Sequence, residues 1–363
     1  MTQTPRRPAR FATRTATSLA ISLAALLATA VQGAHAAPAA QAYVTTEGGD
    51  IAVIDLDQLR ATGRVPAGGK GPRGLGLTPD GKFLLAANKG TGDLTVIDLA
   101  SGKVVRHVPI GENPEFVRVY GGQVFVTYEP SEHAGPPGAS PPPKEKADEE
   151  KHEPAEIAVI DIKTWRITRR IKSGLETEGV EFSRDGRQIL VTNEGDDTVT
   201  VYDRASGKRL KLLPMPQGSR PRGIKASPDG RRYVVTLESA NSFVVLDAAD
   251  LHTERTVTTK TGPYGVAFDR DGKRLFVAAS RADTLQVFDG QSYDHLADIP
   301  VGKRCWHFSF TPDDSKLLVA CGRSNAVMVF DAHDYKPLAQ IDNLPLAWGI
   351  VTWPKSIGTI DSP

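Results

Sequence analysis

A repeat constrains this chain more than any other feature. An apolar–aspartate pair recurs at Ile54-Asp55, Ile97-Asp98, Ile160-Asp161, Tyr202-Asp203, Leu246-Asp247, Phe288-Asp289 and Phe330-Asp331, with the aspartates 43, 63, 42, 44, 42 and 42 residues apart. A second anchor falls about halfway between them: Pro72-Arg73-Gly74, Pro114-Glu115-Phe116, Thr177-Glu178-Gly179, Pro221-Arg222-Gly223, Pro263-Tyr264-Gly265, Cys305-Trp306-His307 and Ala347-Trp348-Gly349. Two independent anchors with one period define a repeat architecture before any site is considered.

Each unit reads as four short strands. In the unit that starts at Gly223, a first strand runs to Ala226 and Pro228-Asp229-Gly230 turns the chain. Pro presets φ there and Gly accepts a positive value. Arg232 to Leu237 and Phe243 to Asp247 are the second and third strands, and the fourth lies around Thr256-Val257. The aspartate that ends the third strand is placed to accept N–H bonds from the turn after it. Four strands per period of about 42 residues is a propeller blade. A solenoid would need capping repeats, whereas here the ends complement each other. Residues 42–55 supply a second and a third strand with no first, and Trp348 to Thr352 supply a first strand with no second. The expected fold is therefore all-β, a seven-bladed propeller closed by pairing the C-terminal strand with the N-terminal strands in one blade. One unit carries an insertion at about 130–154, rich in Pro and charge and without large apolar residues. Such a segment is expected to be disordered, and to overhang the face that carries the second anchors.

Arg6, Arg7, Arg10 and Arg14 precede an uncharged apolar run from Ser18 to Val31, and Ala34-His35-Ala36 fits a small-x-small cleavage site. The run is short of the roughly 20 residues that span a bilayer. Residues 1–36 thus read as a signal peptide and 37–363 as one exported, periplasmic propeller domain, a monomer without a membrane span. Removing the four leader arginines changes the formal charge of +1 to 40 basic against 43 acidic residues. That balance gives no footprint for nucleic acid. Cys305 and Cys321 lie on neighbouring strands of one unit. A cross-strand disulfide and two reduced buried thiols are both open.

Pro221 to Gly230, Leu190-Val191-Thr192-Asn193 and Thr198 to Asp203 resemble the YVTN-repeat β-propellers, over residues 42–353. The Gly-His and Trp-Asp signatures of WD40 blades are absent. The anchor order Arg, Glu, Glu, Arg, variable, Trp, Trp is similar to that of exported propellers associated with pyrroloquinoline quinone (PQQ)-dependent catabolism. That resemblance implies an accessory protein near quinoprotein alcohol dehydrogenases, without an activity of its own. Cys305, His307 and the insertion depart from the pattern.

The anchors converge on the mouth of the central channel: Arg73, Glu115, Glu178, Arg222, Tyr264, Trp306 and Trp348. Arginine forks suit carboxylates and indoles stack on planar ligands, so a ligand site and a self-satisfied structural ring are both open. His307 reads as a packed histidine between blades or as a metal or haem ligand. Glu115 with Glu178, or His133 with His152, offer weaker metal readings. No nucleophile elbow, phosphate loop or dinucleotide fingerprint occurs. The expectation is an exported, non-catalytic binding propeller. Its mouth would take a small planar anionic ligand, PQQ-like, or an exported partner protein. The alternative is a lactonase-type hydrolase that uses the acidic residues of the mouth.

Overall fold

The computed structural model describes residues 40–46, 48–129 and 153–356. These form seven four-stranded antiparallel sheets. Blade 1 is assembled from both ends of the chain, Ile350–Trp353 innermost, then Gln41–Thr45, Asp50–Asp55 and Arg60–Pro66. Val351 pairs with Tyr43 and Thr352 with Ala42, so the closure inferred from the split repeat is present. Blades 2 to 7 span residues 72–109, 114–172, 177–214, 221–258, 263–300 and 305–341, each running outward from the axis in chain order.

The strands follow their residues. Innermost and second strands are almost wholly buried, while outermost strands such as Thr253–Thr258 are exposed along nearly their whole length. Apolar side chains of neighbouring sheets meet face to face. Ala42, Val44, Ala52 and Ile54 of blade 1 pack on Leu318, Ala320, Val327 and Val329 of blade 7. On its other side blade 1 lays Tyr43, Ile51 and Val351 against Leu75, Leu77 and Leu84 of blade 2. The ring is thus joined by hydrogen bonds within blade 1 and by apolar contact on both its flanks.

The repeated aspartates close turns as expected. Asp55 Oδ1 accepts N–H groups of Asp57 (2.9 Å) and Gln58 (2.7 Å), and Asp203, Asp289 and Asp331 do the same with their own turns. Cys305 and Cys321 are register partners in blade 7 and are joined by a disulfide. The signal peptide expected at 1–36 and most of the insertion, residues 130–152, lie outside the described residues. The insertion does fall between second and third strands, since Tyr128 pairs with Glu156 across it.

Candidate functional site

Every anchor occupies the second position of an innermost strand, or in blade 1 lies just before it, so all seven stand at one end of the channel. A bulge puts them there. In blade 2 the pairing steps from Pro72 directly to Leu75, and blades 3 to 6 repeat the step at Pro114, Thr177, Pro221 and Pro263. The skipped residues, Arg73-Gly74 in blade 2, leave the ladder and turn toward the axis. The glycine of this pair is required by a close approach, because a Cβ on Gly74 would collide with the carbonyl of Glu115 in the next blade. Threonines of the second strands complete the joint. In blade 5 the Gly223 N–H donates to Thr236 Oγ1 (2.8 Å), whose hydroxyl donates to the Tyr264 carbonyl of blade 6 (2.6 Å). Thr45 and Thr192 repeat this arrangement.

Two blades replace that glycine, with Phe116 and His307. The pairing shifts between Cys305 and His307, and the buried His307 packs at the joint between blades 7 and 1, on the channel side. Its ring centroid lies 4.1 Å from that of Trp348, 5.5 Å from Tyr264 and 5.7 Å from Phe116 of blade 3, across the axis. His307 Nδ1 is 3.3 Å from the Trp348 carbonyl oxygen. Burial drives the imidazole down to about 3, so it is neutral near pH 7. Phe116 and His307 together divide the channel below the mouth. The recesses on either side measure about 20 and 10 Å³ of room for a water centre, the scale of single waters.

At the mouth the acidic and basic anchors are paired with one another. Arg73 Nη1 contacts Glu115, and Arg222 contacts Glu178, Glu194 and Glu238, the last through Nε at 2.8 Å. Each of these side chains is nine-tenths buried or more. The aromatic anchors form the opposite arc. Tyr264, Trp306 and Trp348 are buried in one cluster, against which Phe116 and Leu346 pack. Their faces are therefore covered by one another and not laid open to a planar ligand. Among the described residues, the indole nitrogens of Trp306 and Trp348 and Asn113 Oδ1 are buried without a hydrogen-bond partner.

Two further rings surround the anchors, and the sequence reading missed both. One residue past each second strand stand Thr46, Lys89, Glu129, Glu194, Glu238, Ser280 and Gly322. Immediately before each anchor triplet stand Gly71, Asn113, Glu176, Arg220, Gly262, Arg304 and Leu346, all at φ between 47° and 69°. Five of these are not glycine, and each such left-handed residue costs of order 1–3 kcal/mol. Both rings follow the same period as the anchors, and that period was the available signal. Their residue types vary too much to spell a motif.

The outer rings change the chemistry. Glu129, half-buried on the rim, accepts a hydrogen bond from Asn113 Nδ2 (2.8 Å). Burial, reinforced by Glu115, Glu178 and Glu176, pushes its carboxyl up to about 8. Burial also raises Glu178, to about 7, against the pull of Arg222. Arg222 is held above its ordinary value by Glu178, Tyr264 and Glu238, although burial opposes this. The mouth thus holds two carboxyls that change protonation near neutrality, beside fixed guanidinium groups. Below it, Glu181 joins Arg118 (2.9 Å) and Lys225 (3.4 Å) in a buried inter-blade link. The exposed turn cluster Asp247, Asp250 and His252 lies at the opposite ends of the strands.

A family described as YNCE-like beta-propeller matches residues 30–121 and 149–316. A dihydro-heme d1 dehydrogenase of Pseudomonas aeruginosa is 31% identical over 169 residues, 45% of this chain and 31% of that protein. The chain spans about a third of the curated relatives it matches. Among solved structures, the periplasmic gluconolactonase of Pseudomonas aeruginosa superposes with a TM-score of 0.68 at 19% identity, covering 86% of this chain and 98% of that one. The dihydro-heme d1 dehydrogenase NirN superposes with a TM-score of 0.62 at 19% identity, over 87% of this chain and 75% of that one. At such identity the superpositions establish the shared fold, and the activities belong to those proteins. The named relatives are enzymes nonetheless. They overturn the expectation of a non-catalytic, PQQ-associated accessory propeller. The hydrolase alternative fits them better.

Proposed function

Because the chain belongs to the YNCE-like beta-propeller family, we propose, within that fold, that it is a periplasmic lactonase-type hydrolase working at the channel mouth. One observation carries the reading: Glu129 and Glu178, raised to about 8 and about 7, share the mouth with buried arginines. At pH 7.5 a group titrating near 8 is mostly an acid and one titrating near 7 mostly a base, the pairing that general acid–base hydrolysis uses.

The residues divide the reaction as follows. Glu178 as carboxylate takes a proton from water, whose oxygen bonds to the lactone carbonyl carbon. Negative charge developing on the carbonyl oxygen is met by Arg73 or Arg222. The ring C–O bond breaks, and its oxygen takes the proton of Glu129. The products are a hydroxy acid and enzyme groups that exchange one proton with solvent to reset. The disulfide fits an oxidising compartment, and among the described residues no helix is long and apolar enough to cross a membrane.

The test is base consumption at constant pH with glucono-δ-lactone, measured above the uncatalysed rate. Wild type is expected to accelerate opening, and Glu129→Gln and Glu178→Gln to lose about 10²-fold or more each. Equal rates in wild type and both variants would sink the proposal.

A further inference from the structure

We infer that Tyr264 is a positioning residue, whose hydroxyl holds the Glu178 carboxylate as a base beside a recess that seats the attacking water. The inference rests on the hydrolase reading and deepens it, since that reading uses neither the buried phenol nor any place for the nucleophile.

Tyr264 stands in the bulge of blade 6, where the pairing steps from Pro263 to Val266. Its carbonyl is tied to blade 5 by the Thr236 hydroxyl (2.6 Å). Its ring centre lies 5.0 Å from the Arg222 guanidinium carbon and 5.5 Å from that of His307. A phenylalanine would fill the same space, so the hydroxyl is the part that packing leaves unexplained. That hydroxyl reaches past blade 5 and donates to Glu178 Oε2 of blade 4 (3.3 Å). Burial raises the phenol well above its ordinary value, so it stays a donor through the neutral range.

Glu178 is thereby held at both oxygens. Arg222 Nη1 contacts Oε1, and Tyr264 takes Oε2. A carboxylate oxygen has two lone pairs, so each keeps one for a water. Arg222 also meets Glu194 and Glu238, and therefore keeps counter-charge when Glu178 takes up a proton. The other charged groups facing Glu178 are Glu238 of blade 5 and Arg73 and Glu115 of blades 2 and 3, with Glu129 of blade 3 beyond.

The smaller of the two recesses has Glu178, Arg222 and Tyr264 in its wall, together with Phe116, Val266 and His307. Its room, about 10 Å³ for a water centre, is that of one molecule. The larger recess, beside Trp348, has no carboxylate in its lining. A single water confined against a fixed carboxylate has its orientation set before the substrate arrives. Its proton passes to Glu178 while its oxygen bonds to the lactone carbonyl carbon. The ring C–O bond breaks, and the ring oxygen takes the proton of Glu129.

Two variants of the full chain test this. Tyr264→Phe keeps the ring and removes the donor. With glucono-δ-lactone its kcat should fall about tenfold at unchanged KM. The acid limb of its pH profile should move up by about one pH unit, because the lost hydrogen bond favoured the ionised carboxyl. Val266→Ile adds a methylene group to the wall of the recess and should lower kcat about tenfold with the limb unmoved. Tyr233→Phe, at the opposite end of the second strand of blade 5, should change none of these. Glu178 is also read without turnover, by carbon-13 NMR of protein labelled at the glutamate carboxyls, its signal assigned with Glu178→Gln. Its midpoint should lie at about 7 in wild type and about one pH unit higher in Tyr264→Phe. An unmoved midpoint and limb in folded Tyr264→Phe overturn the role of Tyr264, and wild-type kcat in folded Val266→Ile overturns the water seat. A raised midpoint in Tyr264→Phe, where wild type opens no lactone, keeps Tyr264 as the group that holds Glu178 and refutes the hydrolase reading and the water seat with it.

Discussion

The imidazole of His307 points its Nδ1 at the carbonyl oxygen of Trp348, 3.3 Å away, at the position where four other blades place a glycine hydrogen against their neighbour. A titratable ring has therefore been set into the joint between blades 7 and 1, inside the channel. Folding holds it at about 3, whereas an unfolded histidine titrates near 6.5. Its contribution to stability is complete above pH 6.5 and is lost as the pH falls toward 3. By pH 5 the loss should be about 2 kcal/mol. His307→Phe should remove that part of the acid dependence. Denaturant melts of both proteins at pH 7.5 and 5 measure the difference, and parallel losses would refute it.

The rate of lactone opening should rise as Glu178 ionises near pH 7 and fall as Glu129 loses its proton near pH 8. The profile of kcat/KM is thus a narrow bell with its top between the two. Glu129→Gln should abolish the alkaline limb. An unchanged limb in that variant would assign the acid elsewhere.

Arg222 contacts three buried carboxylates; Glu194 also meets Arg220 and Glu238 also meets Arg281, but Arg222→Ala leaves the buried Glu178 without its arginine and should cost about 3–5 kcal/mol. Thermal unfolding at pH 7.5 reads this directly. A stability equal to wild type would show that the network is dispensable.

Alkylation of the denatured, unreduced protein should add no mass at Cys305 or Cys321. Their bridge closes a loop of 16 residues, and the chain-entropy argument gives about 3 kcal/mol for a loop of that size. Reduction should lower the melting temperature accordingly, and two alkyl adducts would rule the bridge out.

Removing residues 346–363 takes away the innermost strand of blade 1 and exposes its contacts with blades 7 and 2. Cooperative unfolding should be lost or shifted far down. A truncated protein that melts like the full chain would be incompatible with closure through blade 1.

The fold was legible because period, turn and apolar pattern repeat, and because the unit split between residues 42–55 and 348–352 completes itself only in a ring. The anchors were legible for the same reason. Their partners were not. Nothing in the order of residues tells that Glu194 and Glu238 reach Arg222, since the first contact depends on side chains meeting across the boundary of blades 4 and 5 and the second on the rotamers of neighbouring strands in blade 5. Tyr264, Trp306 and Trp348 were legible as neighbours, but their packing against one another is a matter of rotamers.

Blade 3 carries its own consequence. Its second and third strands, Gln123–Tyr128 and Glu156–Asp161, stay paired along their whole length on either side of residues 130–152. A chain cut in that interval would leave two pieces, each owning half of blade 3 and, through its other end, part of blade 1. Such pieces share two complete seams and should find each other when expressed separately. The propeller is in that respect a ready-made split reporter, whose reassembly brings Glu129 on one fragment to Glu178 on the other.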